Sequence, residues 1–434
     1  MWVGIDDTDG PDGGCTTWVL TEVVRCARRH ALDVLGEPRL VRLNPNVPWR
    51  TRGNGALAVR LGRGRGPSRL VGALDGRPCV AYARGAEVDP PAAERFARDA
   101  WRAVDAASPR VPGTDPAMVV LRRAPPASLY WRAVRERVAV AEVERELRHL
   151  GATVRVRSAR RGLVGATAAV AWPGLRHTWE LLAYREPARV GTPRSVDGES
   201  VRAAQRSDPG LFLCHDARTR RLLVAPHTGC PILFGLRGTR RSAPLQALGS
   251  IRSEPIERWM LFRTNQATGD HLVRRPAAEV TGLRSATVDG TVVAPAVTSP
   301  GGHASFAVQD RAGTPLACVA FEPTKTLPAV ARRLAAGDRV RVWGSRGRDG
   351  GFRLEGITVL RLARLEHRRP PRCRACGRTA GSMGRARGYR CPQCGRRFPP
   401  EAARTVGAAR ALRPGTYHPT PSARRHLAPR GPES

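Results

Sequence analysis

The chain has 434 residues, 41% of them hydrophobic and only 5% aromatic, and carries a formal net charge of +36. That length bounds two to four domains with cores of their own, and no run of about 18 apolar residues is present to cross a membrane. The acidic start, "MWVGIDDTD", lacks the basic region and apolar stretch of a secretory signal, so the sequence predicts a soluble cytoplasmic protein.

In chain order, "WVGI" reads as a short buried strand ending on Asp6, Asp7, Asp9 and Asp12. "TTWVLTEVVRCARRH" follows as a helix, with Val19, Val23 and Ala27 recurring at helical spacing. "LVRLN" is a second strand, "PNVPWRTRGNG" a loop, "ALAVRL" a strand and "RGRGPSR" a loop. Residues 92–106 read as helix, and "PRVPGTDPAMVVL" as a loop entering a strand. "WRAVRERVAVAEVERELRHLG" reads as one helix ended by Gly151. Helices and strands alternate to about Leu272, so this part is α/β or α+β. Past Ala278 the texture changes to five short β-type segments with "LPAVARRLAAG" as a helix between the third and fourth. That pattern predicts an OB-fold barrel, with another small barrel as the alternative. A basic, proline-broken tail closes the chain, with Tyr417 available to stack.

The charge comes from arginine. Lys325 is the only lysine, leaving 72 arginines among the 73 basic residues. Arginine forks grip phosphates and stack on bases, so a nucleic acid is the expected partner. A solvated basic surface is the plainer alternative. Cys373, Cys376, Cys391 and Cys394 form two CxxC pairs, "CRAC" and "CPQC". Two such knuckles complete a tetrahedral, closed, structural zinc site, and zinc binding supplies the folding energy of so small a module. The other six cysteines are scattered and read as buried thiols.

The opening stretch "GIDDTDGPDGGCTT" carries the chemistry. A strand delivers carboxylates; Gly13 and Gly14 let backbone N–H groups approach a phosphate; Thr16 and Thr17 sit in the first turn of a helix. Magnesium takes a few carboxylates plus phosphate oxygens, and a helix N-terminus binds anions, so the set suits a metal–nucleoside triphosphate. A solvated turn with Thr16 or Thr17 as helix N-cap is the plain alternative. "RTRGNGA" and "RRGLVGATAAV" are further glycine-rich pieces fit for a phosphate or a nucleotide, or else a hairpin turn and a tightly packed helix start. There is no G-x-x-x-x-G-K-[ST] loop and no G-x-G-x-x-G after a strand, and the one lysine lies in the barrel. Arginines, backbone amides and magnesium must therefore manage any ATP charge. "APHTGCPILFGLRG" places His227, Thr228 and Cys230 beside an apolar strand without a nucleophile's partners.

Taken together and in order, "GIDDTD…CTT", "LNPNVPWRTRGNGA", "RGLVGATAAV", "HTGCPILFGLRG", "EPIERWMLFRTNQATGDHL", "FEPTK", the cysteine pairs and "PSARRHL" resemble the archaeal tRNA(Ile) 2-agmatinylcytidine synthetase family over residues 4–427. The resemblance implies a multidomain α/β and α+β chain. It comprises a kinase-like domain (1–125), a ferredoxin-like domain (126–277), an OB fold (278–366) and a zinc ribbon with its tail (367–434). It implies that ATP is used to phosphorylate the wobble cytidine of the CAU-anticodon isoleucine tRNA, after which agmatine displaces phosphate and the tRNA reads AUA. Asp6, Asp7 and Asp9 would hold Mg2+ or aid phosphoryl transfer. Thr16 is the self-phosphorylated threonine, with Thr17 as the adjacent choice. Arg52, Gly53 and Asn54 would face nucleotide or RNA, Gly162 and Gly165 form the second glycine motif, and the four clustered cysteines bind Zn2+. Trp18 departs from the hydroxyl-bearing aromatic usual there. Asp197, Glu199, Asp208 and Asp216 are candidates for holding dicationic agmatine, or ordinary surface charge. The rival readings are a non-enzymatic RNA or single-stranded-DNA binder and an adenylating ligase; the SGGxDS-type loop of the latter is absent.

Overall fold

The computed structural model describes residues 1–10, 13–51 and 53–431. Strand β1 (Trp2–Asp6) lies inside one large mixed sheet. From one edge the order is Leu211–Phe212, Ile232–Gly238, Thr178–Arg185, Ile256–Thr264, Arg39–Arg42, Gly55–Leu74, β1, Ala117–Leu121 and Thr153–Val156. Neighbours on this path are antiparallel except Ile256–Thr264 with Arg39–Arg42, which run parallel. The sheet is thus continuous from the first 160 residues into the next hundred.

Side chains alternate across a strand, and that period builds two cores. Val3, Ile5, Leu57, Val59, Met118 and Val120 face helices α1 (Thr16–Arg29) and α2 (Pro90–Ala107). Ala56, Ala58, Ala117 and Val119 face the other way, toward α3 (Ala127–Arg135), α4 (Val140–His149) and α5 (Gly162–Ala171). Helix α5 is built of small residues because it lies directly on β1: a Cβ on Gly4 would stand 2.2 Å from the Ala166 carbonyl oxygen. Arg39 closes its far end. One guanidinium nitrogen donates to the carbonyls of Val170 and Trp172 at 2.9 and 2.8 Å, and the group stacks 4.1 Å from the Trp2 ring. A cation at a helix C-terminus and over an indole face is favoured on both counts.

Two local expectations are corrected. "RGRGPSR" is not a loop but the middle of the strand Gly55–Leu74, paired with Arg77–Ala86. Pro67 and Gly66 (φ 78°) are accommodated because the register shifts between Arg65 and Ser68, a bulge that needs no ladder N–H from proline. The long helix expected over residues 131–151 is two. The chain turns extended at Glu136 (φ −140°, ψ 179°) and α4 starts only at Val140. A tertiary bond competes with helix propensity there, since the Asn44 side-chain amide donates to the Glu136 carbonyl at 3.0 Å. Gly151 (φ 60°) does end α4.

Residues 285–361 close a five-stranded barrel. Ser285–Val292 pairs with Ala304–Asp310 and with Arg339–Arg346; Ala304–Asp310 pairs with Pro315–Ala320; Phe352–Arg361 joins Pro315–Ala320, in parallel, to Arg339–Arg346. The helix Thr326–Ala331 lies between the third and fourth strands, as the pattern predicts, and buries Leu327 and Val330 in the barrel core.

The tail is not a free basic arm. Gly415–Tyr417 adds to the barrel beside Phe352–Arg361, and the Tyr417 hydroxyl donates to the Arg413 carbonyl at 2.8 Å, so Tyr417 is half-buried rather than open for stacking. The chain then crosses back to the large sheet. The Ser422 amide donates to Asp216 at 3.0 Å, and the amides of Ala267 and Gly269 donate to the carbonyls of His426 and Leu427 at 2.7 and 2.9 Å. Arg425 meets Glu355 of the barrel at 2.9 Å and Asn46 at 3.0 Å.

Candidate active site

The end of β1 opens on a cavity of about 680 Å³. Its floor is Asp6, Asp7 and Asp9; Gly162, Gly165 and Arg161 form one wall; Val47, Trp49 and Val138 line the apolar end. Three motifs far apart in sequence meet here. Gly165 is small because Asp6 needs the space: a Cβ would fall 1.8 Å from the Asp6 Oδ2 atom. Asp7 sits in the left-handed region (φ 58°), a conformation a short polar side chain tolerates, and so turns the chain sharply off β1. Its carbonyl accepts from the Asp115 amide at 3.1 Å. Asp9 accepts from the Thr51 hydroxyl at 2.8 Å.

Burial raises the Asp7 carboxyl to about 7, with Arg161 opposing and the charges of Asp115 and Asp9 adding to it. Burial, then the charge of Asp7, holds Asp6 well above the usual carboxylate range. Asp115 is itself buried; one oxygen accepts from the Ser158 amide and hydroxyl, both at 2.8 Å, and the other has no partner among the described residues. Carboxylates crowded in this way are ready to exchange protons for a cation.

A second cavity, of about 470 Å³, adjoins the first. Asp9, Thr51, Asn54 and Gly55 line both. Its other walls are Cys15, Thr16 and Thr17 from the start of α1, Arg42, Glu180 and Arg237 from the sheet, Arg221 to Cys230, and Ser422, Arg424 and His426 from the returning tail. Glu180 is shared by Arg237 at 3.0 Å and Arg42 at 3.5 Å. Gly53 has no room for a side chain, since its Cβ would stand 2.4 Å from Arg42 Nη1 and 2.9 Å from the His426 ring.

The sequence-predicted residues divide between these cavities. Asp6, Asp7, Gly162 and Gly165 line the acidic one, Thr16, Thr17 and Gly53 the arginine-rich one, and Asp9 and Asn54 both. Asn54 (φ 47°) donates from its amide to the Asn44 carbonyl at 2.8 Å and so fixes the shared wall. Gly13 and Gly14 pair with Asp9–Gly10 in a small hairpin and line neither cavity. Arg52 and Asp12 lie outside the described residues. The N-cap of α1 is Cys15, not a threonine. Of the agmatine candidates, Asp197 caps a helix and meets Arg252, Glu199 meets Arg202 and Arg206, Asp208 meets Arg240, and Asp216 accepts from the amides of Arg218, Thr219 and Ser422. None of the four lines either cavity. Sequence reasoning missed Asp115, Arg42, Glu180, Arg237 and His426, which converge only through the topology. Arg161, next to Gly162 in its motif, was within reach of it.

The four clustered cysteines bring their sulfurs within 4.8 Å of one another, with Cys373 and Cys394 at 3.6 Å. Each knuckle repeats one pattern: the amides of Gly377 and Gly395 donate to the carbonyls of Cys373 and Cys391. Backbone amides lower the thiols of Cys373 and Cys391, the latter to about 7. Four thiol ligands at this separation fit a closed tetrahedral zinc site.

A carboxylate-floored cavity beside an arginine-lined one, with a barrel and a cysteine ribbon attached, defines a nucleotide-using protein of RNA chemistry. Three family models match the chain: the TiaS TCKD domain over residues 2–157, the TiaS FLD domain over 160–271 and the TiaS C-terminal zinc ribbon domain over 370–408. The isoleucine-tRNA 2-agmatinylcytidine synthetases (TiaS) of Methanosarcina acetivorans and Archaeoglobus fulgidus are each 34% identical, over 99% of this chain and 96% of theirs. Two crystal structures share its fold. One is a complex of TiaS with its isoleucine tRNA and ATP (TM-score 0.83, 32% identity, covering 98% of this chain and 95% of that one). The other is a complex of TiaS with the same tRNA, AMPCPP and agmatine (TM-score 0.80, 30% identity, covering 99% and 96%). The chain belongs to the TiaS family of isoleucine-tRNA 2-agmatinylcytidine synthetases.

Proposed function

We propose that this chain is an ATP-dependent ligase that joins agmatine to position 2 of the wobble cytidine in the CAU-anticodon isoleucine tRNA, through a phosphorylated base. The observation that carries the reading is the meeting of the aspartate motif, the "RTRGNGA" loop and the "RGLVGA" helix on one cavity. The near full-length likeness to relatives solved with tRNA, ATP and agmatine supports it. A binding module alone gives no reason for three carboxylates held at a cavity floor.

In this reading the acidic cavity takes ATP. Asp6, Asp7 and Asp9 would hold Mg2+, which neutralises charge on the transferring phosphoryl. Arg161 faces the same cavity and supplies the positive charge that no lysine provides here. The γ-phosphoryl bond to ADP breaks as a bond forms to the cytidine O2 or, in the self-phosphorylation step, to the Thr16 hydroxyl. The agmatine amine then bonds to C2, the C2–O bond breaks, and phosphate leaves with the oxygen. Residues 1–125 form the kinase-like domain, 126–277 the ferredoxin-like domain, 278–366 the OB fold and 367–434 the ribbon and tail. The arginine excess fits the tRNA, and no helix among the described residues is long and apolar enough to cross a membrane, which accords with a cytoplasmic enzyme. Labelled agmatine with this tRNA and ATP tests the proposal. The wild type should incorporate label, and Asp7→Ala should lose at least about a hundredfold while still binding tRNA. Undiminished incorporation by that variant would sink the assignment of phosphoryl transfer to the acidic cavity.

A further inference from the structure

We propose that the arginine-lined cavity is a phosphate-binding subsite, seating one phosphate group at the N-terminus of α1 among Arg42, Arg221, Arg237 and His426. The charges are unbalanced toward an anion. One carboxylate, Glu180, serves both Arg42 and Arg237, and Asp9 at the shared wall is already engaged by Thr51. Arg221 has no acidic partner among the described residues; its guanidinium meets His227 Nε2 at 2.7 Å. Because arginine only donates, that imidazole accepts and is neutral. The "HTGC" segment, which had no role in the sequence, thereby acquires one: it holds Arg221 at the cavity.

The helix end adds to this. The Cys15 side chain at the N-cap accepts no hydrogen bond from a first-turn amide, and Thr16 and Thr17 line the cavity with their turn. N–H groups at a helix start, joined by guanidiniums, are the usual surroundings of a phosphate.

His426 is the informative member. Its ring makes no hydrogen bond among the described residues, lines the cavity, and is faced by Arg42, Arg50 and Arg237, with Glu180 and Asp9 as the acids of the same walls. The Arg42 charge, burial and the other two arginines keep the ring neutral. An anion placed among those arginines reverses the balance, so the seat should take up a proton with its phosphate.

Two sources share this chemistry: a backbone phosphodiester of the bound RNA, and inorganic phosphate freed in the reaction. The inference rests on the tRNA-ligase reading for the supply of phosphate, but binding needs neither turnover nor agmatine, so either can fail without the other. The test is calorimetric titration of the full-length, zinc-loaded protein with inorganic phosphate at pH 7, in two buffers of different protonation enthalpy. Saturable binding with net proton uptake is expected. Arg221→Ala, at an exposed position whose loss uncovers no core, should weaken it about tenfold or more, as for a lost charge-assisted hydrogen bond. His426→Gln should retain binding and abolish the proton uptake. Anticodon stem–loop RNA that displaces the phosphate supports the backbone source; phosphate retained beside the RNA supports the free ion. No saturable binding across the millimolar range, or binding and proton uptake unchanged in both variants, overturns the proposal.

Discussion

Gly165 illustrates how closely chemistry and packing are joined at the scale of one residue. It looks like a nucleotide-motif glycine, yet the atom it makes room for is a carboxylate oxygen of Asp6. Gly165→Ala must push that carboxylate or the helix aside, and overpacking of this kind costs about 1–3 kcal/mol. Denaturant unfolding should register that loss, with ligase activity falling alongside it. Gly13→Ala is the contrast: a Cβ there meets nothing within 4 Å, so stability should stay within about 0.5 kcal/mol of wild type. Equal losses for the two would mean that the Asp6 contact does not constrain α5.

Among the elements, the returning tail has the least obvious sequence and the widest reach. It carries His418, lowered to about 4 by burial and Arg424, and His426, held well below the ordinary range by Arg42, burial, Arg237 and Arg50. Both rings are neutral when docked and titrate near 6.5 when released. The stability they lend is therefore complete above about pH 6.5 and is lost as pH falls toward 4. Hydrogen exchange over residues 415–428 should show the tail loosening between pH 7.5 and pH 5, and a His418→Gln, His426→Gln double variant should flatten that dependence. Equal protection at the two pH values in the wild type would contradict the docking energetics.

How much of this was legible depends on the range of the signal. β1, α1, α2, the barrel strands and the cysteine knuckles follow from periodicity and fixed local spacing, and were readable. The α3–α4 break was not, because a side-chain bond from Asn44, about 90 residues away, overrides helix propensity. The acidic floor announced itself in one short stretch. The arginine cavity did not, since Arg42, Glu180, Arg237 and His426 come together only when the sheet order and the tail's path are known.

For the whole molecule, the ribbon contrasts with everything else. Apart from its cysteines and two buried alanines it has few apolar side chains to bury, and it contributes to none of the four hydrophobic cores. Stripping zinc with a chelator should unfold residues 370–408 while the large sheet and barrel keep their melting transition and ATP binding, with tRNA affinity reduced. A single cooperative collapse of the entire protein on chelation would contradict that separation. The net charge of +36 acts at this scale too: it draws RNA over the whole surface, while the few carboxylates that matter are sequestered at one cavity floor.

The crossing of the tail also sets an order in time. Each wall of the arginine cavity up to Gln266 is made early, and the remainder waits for Pro421 to His426. The 155 positions from Gln266 to Pro421 take about 8–30 s at ordinary rates of synthesis. Throughout that interval the nascent chain can hold its acidic cavity without the neighbouring one. The enzyme is therefore guarded against acting before it is whole, because the barrel and ribbon must be translated before the last wall can arrive.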